Sequence, residues 1–544
     1  MTHSAADRPA DVVMVGGTVV TMDPAGGRHE AIAIRDGRII AVGSSRELRP
    51  LAGDDGGVID LAGATVLPGF IETHIHPAML GERLTRSVDA SSPTNASIAD
   101  IVERVRDAVA GRGPEDWVIG HGYDDTALRD MRHPTRHDLD EVAPDTPVFL
   151  HHVSGHVAVA NSRALEMLGI SAGTADPDGG EIQRGSDGSP SGVLFETAAW
   201  MLHRVMPKPS PDEVARAIGV VGEELARLGI TTIHDAAMDP RYLDAYRLAM
   251  EHHGFGSRVR GYLVAGQADG CGIDEPDRAP RPGLAGDLQM RGIKMWADGS
   301  IQAETGFLSR PYHCSPSHHG SPILTQDELN SAVRKWDERG WQLAIHANGD
   351  AAIDSVLQAY AGIERSNSRL PHRIEHFQMG REDQLDEVAR MGVLPSVFVK
   401  HVWYWGDRHR DIFLGPERAT RISPLASLHG KGVPFALHSD APVTPLSALE
   451  GLQVAVMRTT SSGRVLGPEQ AVPIETALLG YGRNAARFAG DEDLIGSLEV
   501  GKQADLVVLD EDPTRCAPES IAQIGVRATY VAGKPIFERA AGDR

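Results

Sequence analysis

The chain has 544 residues, 41% of them hydrophobic and 24% charged, with a formal net charge of −22 at pH 7. That is ample material for a core, and the acidic balance excludes a nucleic-acid binder, which needs a basic face. Cys271, Cys314 and Cys516 are scattered and form no CxxC pair, no stretch approaches the ~20 apolar residues of a membrane span, and the polar N-terminus lacks a signal-peptide pattern, so the expectation is a cytoplasmic protein with no disulfide framework and no membrane partner.

Residues 11–66 read as a small all-β unit. Short β-branched runs at 11–15, 17–22, 30–34, 38–42 and 58–61 are separated by Gly16-Gly17, Gly26-Gly27 and Asp36-Gly37, the last a good hairpin turn. The same texture returns at 504–510 and 526–536. Chain ends often lie close together, so the two β segments, residues 1–66 and 488–544, are expected to form one composite β-sandwich domain, with a larger domain at 67–487 between them. Two unrelated β caps are the alternative.

The larger domain begins at Pro68-Gly69-Phe70-Ile71-Glu72-Thr73-His74-Ile75-His76-Pro77, a buried strand ending in two histidines. Positions i and i+2 of a strand point to one face, so His74 and His76 aim their imidazoles at one point. From there apolar runs alternate with helical stretches, the pattern of a parallel α/β protein. Eight candidate strands fall at 66–76, 147–152, 230–236, 292–296, 342–346, 373–376, 393–399 and 433–438. The clearest helix is 211–228, with Ser210 as N-cap, Pro211 in the first turn, apolar Val214, Ile218, Val221 and Leu225 at helical spacing, and Gly229 closing it. Eight strand–helix repeats predict an α/β fold of the (β/α)8 TIM-barrel type. Residues 77–146 and 153–210 are too long for simple connections and read as insertions that shape the substrate pocket; turn clusters at 176–180 and 185–190 predict a β-hairpin in the second.

In such a barrel the C-terminal ends of the strands carry the chemistry. His74 and His76 end the first, Lys294 lies on the fourth, His346 ends the fifth, His376 the sixth and Asp440 the eighth. Each has an ordinary reading alone: a hydrogen-bonded core histidine, or an aspartate in a turn before Ala-Pro. A lysine inside an apolar strand is odder, because burying its charge is costly. Together they place nitrogen and oxygen donors on one face, the pattern of a metal site.

This set resembles the metal-dependent amidohydrolase superfamily. Along nearly the whole chain the details look like its YtcJ-like branch, which includes N-substituted formamide deformylase: the 68–77 stretch, Gly155-His156 with Asn161-Ser162-Arg163-Ala164-Leu165, the segments 293–300 and 346–350, Arg373-Ile374-Glu375-His376, 438–443 and the closing 496–506. The resemblance implies that His74 and His76 bind one Zn2+ ion and His346 and His376 a second, with Lys294 bridging them as a carbamate; one ion with unmodified Lys294 is the variant. It implies that Asp440 ligates the first ion and shuttles a proton while metal-activated hydroxide attacks the C–N bond of a small amide, an N-substituted formamide above all, giving formate and the amine.

Another amide, a cyclic amide, an N-acyl amino acid or an ester on the same site is the alternative, and a non-catalytic scaffold relative with degraded ligands is the reading of another class. His156 is a candidate for the substrate's oxyanion, or a histidine packing the insertion. Asp298, just past the end of the fourth strand, is a candidate to support the metal-binding side chains and the substrate pocket from behind. Trp296, Phe307 and Trp403, the last with Tyr404 and Trp405, are candidate pocket walls, with loop packing as the alternative for the aromatic cluster. The expected partner is a small-molecule amide, in a homo-oligomer of dimer size.

Overall fold

Eight parallel strands make the central sheet: β1 (Phe70–Ile75), β2 (Ile230–Met238), β3 (Arg258–Val264), β4 (Leu288–Trp296), β5 (Gln342–Ala347), β6 (Arg373–His376), β7 (Leu394–Val397) and β8 (Ala436–Leu437). They run in sequence order around the sheet, each hydrogen-bonded to the next. The ring closes just past β8, where the His76 N–H donates to the Ala441 carbonyl at 2.9 Å and the Asp440 N–H to the His74 carbonyl at 3.1 Å. Every residue of β1, β6, β7 and β8 is buried, the polar ones included. The structure, a computed structural model, describes residues 8–540 apart from 54–56, 92–93, 115, 154–156, 179, 206–208 and 278–286.

Two details correct the strand assignment. The run at 147–152 is no barrel strand: Val148–His152 lies in a separate six-stranded sheet, parallel to Val118–Tyr123 and antiparallel to Val157–Ala160. Its apolar run ending in histidines has the signature of a barrel strand without the location. The strand that takes the vacated place in the count is β3, Arg-Val-Arg-Gly-Tyr-Leu-Val, whose two arginines hide it. Arg258 and Arg260 are fully buried because aspartates neutralise them, Asp505 at 2.9 Å from Arg258 Nε and Asp491 at 2.6 Å from Arg260 Nε. Lys294 is still on the fourth strand, but through a different third one.

The stretch read as a single strand at 66–76 is two. Thr65–Pro68 pairs antiparallel with Leu506–Leu509 in a six-stranded sheet drawn from both chain ends, and Phe70–Ile75 enters the barrel. Gly69 makes the step: a Cβ there would lie 2.2 Å from Thr231 Cγ2, so the chain passes only without a side chain. A four-stranded sheet of Arg38–Gly43, Ala31–Arg35, Val12–Val15 and Gly57–Asp60 shares a core with the six-stranded one, Met14, Ile32 and Ile34 meeting Val66, Leu506 and Tyr530.

The chain divides into two compact units, Met1–Pro77 with Ile218–Arg544, and Ala78–Ala217. The second has its own six-stranded sheet, ending in the hairpin of Gly180–Arg184 and Pro190–Glu196. The helix Pro211–Arg227 begins where Ser210 Oγ accepts the Glu213 N–H at 3.3 Å. Among the described residues no helix is long and apolar enough to cross a membrane.

Candidate metal centre

The histidines of β1 leave the barrel with Ile75 between them, and their rings lie 5.3 Å apart. Both Nε2 atoms face one oxygen: Asp440 Oδ1 is 3.5 Å from His74 and 3.1 Å from His76. The other oxygen, Oδ2, is 3.9 Å from His376 Nδ1. One donor atom each from His74, His376 and Asp440 lies within 4.8 Å of the other two. His346 joins through His376, with ring centroids 4.5 Å apart. Lys294, buried on β4, is 5.3 Å from the centre of the Trp296 ring. Four predicted strand ends therefore meet at one place, and Lys294 lies near enough for its charge to act on His74.

The backbone that aims these groups is unusual. Consecutive strand residues point to opposite faces, yet Glu375 and His376 both project into the cluster. His376 has φ +70° and Phe377 φ +45°, and the Phe377 N–H donates to the Glu375 carbonyl at 2.9 Å, a tight turn at the very end of β6. Asp440 is left-handed as well, at φ +54°. Non-glycine residues in this region are uncommon and gather at functional sites.

Burial keeps the His74 and His376 imidazoles neutral. Burial pushes His74 well below its ordinary value, helped by the Lys294 charge; burial does the same to His376, with His346 and His438 adding to it. Burial also lowers the Lys294 amine to about 8, against the pull of Glu375 and Asp440. Glu72, under the cluster, is raised by burial to about 7, and its Oε1 accepts the N–H groups of Ser439 at 3.1 Å and His74 at 3.3 Å.

These residues suit a divalent ion. Neutral imidazoles and a carboxylate are the protonation states a metal requires. Asp440 Oδ1 is buried with two imidazole nitrogens facing it, yet has no hydrogen-bond partner, as expected of an oxygen shaped for an ion. Another donor group, Asp124, Asp125 and His152, lies in the second unit; there His152 Nε2 and Asp125 Oδ1, 3.0 Å apart, hydrogen-bond to each other.

Around the donors, Asp298 is fully buried and accepts four hydrogen bonds. Oδ1 takes His346 Nδ1 at 3.1 Å and the Asn348 N–H at 3.0 Å; Oδ2 takes the Phe307 N–H at 2.9 Å and the Gly349 N–H at 2.8 Å. Phe307 thus meets the site through its backbone. Trp296 is half-buried beside Lys294. Trp403 is also half-buried, its carbonyl accepting the Ser461 N–H at 3.0 Å. Of the Trp403–Trp405 cluster, Trp405 is the member joined to the donors: its ring packs on Phe398 at 6.3 Å, and Phe398 lies 5.9 Å from His376 and 5.2 Å from His438. His156 lies outside the described residues.

Sequence reasoning missed two groups. His438, fully buried, stacks on His74 at 4.8 Å and brings Nε2 to 3.2 Å from His376 Nδ1, while its Nδ1 meets Ser396 Oγ at 2.9 Å. Glu375 reaches His74. His438 was readable as a polar residue closing an apolar run, the same signal that found His346. Nothing in the spacing marks Glu375, because parity sends it to the face opposite His376.

Against known proteins, residues 57–537 match the model of the amidohydrolase family. The N-substituted formamide deformylase of Arthrobacter pascens is 31% identical over 97% of this chain and 98% of its own. The putative amidohydrolase YtcJ of Bacillus subtilis is 30% identical over 96% and 99%. A crystal structure of an uncharacterized metal-dependent hydrolase from Pyrococcus horikoshii superposes with a TM-score of 0.76 at 27% identity, covering 93% of this chain and 99% of that one.

Proposed function

The chain belongs to the amidohydrolase family, and from that membership we propose that it is a zinc-dependent hydrolase that cleaves the C–N bond of a small amide, an N-substituted formamide, to formate and the amine. The observation that carries the catalytic part is the convergence of buried His74, His376 and Asp440 donors within 4.8 Å, with His76 on the same carboxylate oxygen. The formamide part is supported by the full-length likeness to the deformylase.

His74, His76 and Asp440 would hold one ion, and His346 and His376 a second. Lys294 would lie between them as a carbamate, formed when its neutral amine adds to CO2 and gives up a proton. A nitrogen-rich donor set favours zinc. A single ion on His74, His76, His376 and Asp440 is the second reading, favoured by the way His376 and Asp440 donors converge with His74. When bound, the ion makes water acidic enough to attack at neutral pH and polarises the substrate carbonyl.

The chain's own part is positioning and proton transfer. Asp440 takes the proton of the attacking water and returns it to the amide nitrogen, which must leave as a neutral amine. Its carboxylate is fixed for this by a backbone tied to β1 on both sides, through the Asp440 N–H and the Ala441 carbonyl. Phe398 and Trp405 form an apolar, water-excluding layer behind His376 and His438.

The test is a panel of formamides, longer acyl amides, cyclic amides, N-acyl amino acids and esters, assayed with zinc-loaded protein for acid and amine release. Formate release from N-benzylformamide is the expected result. Hydrolysis of another class with every formamide inert would remove the formamide part, and protein that binds no divalent metal would revive a non-catalytic scaffold.

A further inference from the structure

We infer that Glu375 is a positioning residue that fixes the proton and orientation of the His74 imidazole from beneath the metal centre, with Arg373 as its anchor. The inference rests on the metal reading above. Glu375 Oε2 lies 2.6 Å from His74 Nδ1, on the side of the ring away from Asp440. The same carboxylate is gripped by Arg373 in two places, Nε to Oε1 at 2.8 Å and Nη2 to Oε2 at 3.0 Å. Arg373 is itself tied down: Nη2 donates to the carbonyl of Thr73, the residue before His74, at 2.8 Å, and Nη1 donates to His234 Nδ1 at 3.0 Å. All these groups are buried.

The chemistry follows from donor and acceptor types. A carboxylate held bidentate by a guanidinium is an acceptor only. The one proton of a neutral His74 ring must then sit on Nδ1, and Nε2 presents its lone pair on the Asp440 side. Because Arg373 grips both the carboxylate and the backbone at Thr73, the ring is fixed relative to its own strand. Carboxylates in this position raise the basicity of a ligating imidazole, and their loss weakens metal binding roughly 10–100-fold. Arg373 and Glu375 share a face of β6 as an i, i+2 pair, and the left-handed His376 turns a ligand toward the same interior. One four-residue strand thus carries a ligand and the device that orients another.

Glu375 also neutralises Arg373, and a purely structural role would rest on that alone. The two are separated by measuring zinc dissociation constants, by chelator competition, and thermal midpoints for the full-length wild type, Glu375→Gln, Glu375→Asp and the double variant Arg373→Met/Glu375→Gln. The expected result is zinc affinity lower by about 10–100-fold in Glu375→Gln and not recovered in the double variant, although its charge balance is restored. Glu375→Asp keeps the charge but withdraws the carboxylate from Nδ1, so it loses affinity with little loss of stability; it carries the test if Glu375→Gln does not fold. Zinc affinity within twofold of wild type in Glu375→Asp, or full recovery of affinity in the double variant, overturns the inference. If wild type binds no zinc, the metal reading itself fails; if wild type binds zinc and the variants bind it equally, only this inference fails.

Discussion

Asp298→Asn isolates the role of a single buried oxygen. The native carboxylate accepts four hydrogen bonds, two on each oxygen. Asparagine keeps one acceptor oxygen and turns the other into a donor, so the amide must choose a side. With NH2 toward Phe307 and Gly349, two backbone N–H groups lose their acceptor, at about 1–3 kcal/mol each. With NH2 toward His346 and Asn348, one backbone N–H is stranded, because the imidazole can accept on Nδ1 by moving its proton to Nε2. The second orientation wins, for a net loss of about 1–3 kcal/mol.

That choice has a chemical cost. Nε2, the nitrogen left to His346 for a metal, now carries the proton. In the native site Nε2 faces Asn348 Nδ2 at 3.2 Å, and Asn348 Nδ2 also donates to the Gly299 carbonyl at 3.0 Å. Asn348 Oδ1 is buried without a partner, so turning this amide would satisfy the new Nε2–H while giving up the bond to Gly299. The protonated form is therefore trapped rather than expelled. Urea titrations with and without zinc, and metal content after a timed chelator exposure, give the readout. The expected variant is about 1–3 kcal/mol less stable without metal, the gap widens when zinc is added because zinc stabilises wild type more, and metal is retained more weakly by about 10–100-fold. A variant that keeps wild-type metal content and the same zinc-dependent stabilisation would refute the tautomer argument.

Asp440→Asn should lower kcat/KM by about 10³-fold or more, a loss of roughly 4 kcal/mol of transition-state stabilisation, with the circular dichroism spectrum of the folded protein retained. Lys294→Ala should lose metal and turnover together, and short carboxylic acids should restore part of the turnover if an anionic oxygen is what the position supplies; no rescue and unchanged metal content would count against the carbamate. Asp337, away from the site, tests pH linkage. Burial raises its carboxyl, but hydrogen bonds from His372 at 3.2 Å, Ser366 at 2.5 Å and the Asn367 N–H at 3.1 Å outweigh this and hold it well below the usual range. A depressed carboxyl stabilises the fold above its unfolded value of about 3.9, and the contribution fades as pH falls through the folded value. Asp337→Asn should therefore cost stability at pH 7, with the gap to wild type narrowing below about pH 4 in denaturant titrations; a pH-independent gap would be inconsistent with this.

The donors were legible because they fall at or near the C-terminal ends of predicted strands, which a barrel sends to one face. His74 and His76 needed no more than strand parity and a topology, and His346 and His376 no more than their places at strand ends. The limits are equally physical. The strand at Arg258–Val264 is hidden because its apolar character depends on aspartates more than 25 residues away in sequence, at 287, 491 and 505. The run at 147–152 misleads because a strand of any buried sheet can end in histidines. Gly69 splits what reads as one strand, since the contact that forbids a side chain there comes from Thr231. Glu375 is invisible because parity holds only while φ is negative, and no local signal marks His376 as left-handed.

The same left-handed geometry at Asp440 explains why one residue type suits the position. β8 has only two residues in the ladder, Ala436 and Leu437, so closure of the barrel depends on the segment just after it. The bonds that close it are those of the site: the Asp440 N–H on the His74 carbonyl, the His76 N–H on Ala441, and Glu72 receiving the N–H groups of both His74 and Ser439. These are backbone donors, so they survive a change of side chain, provided the replacement accepts φ +54°. Holding a non-glycine residue there costs on the order of 1–3 kcal/mol, and short Asn and Asp bear it best. Alanine or a β-branched residue would remove the carboxylate and add backbone strain together, confounding catalysis with closure. Asparagine removes the negative charge and the ability to carry a proton while keeping the short side chain that the turn requires. If turnover falls while the fold stays intact in Asp440→Asn but not in Asp440→Val, the position is constrained twice: its carboxylate by chemistry, and its short side chain by the turn that joins the last strand to the first.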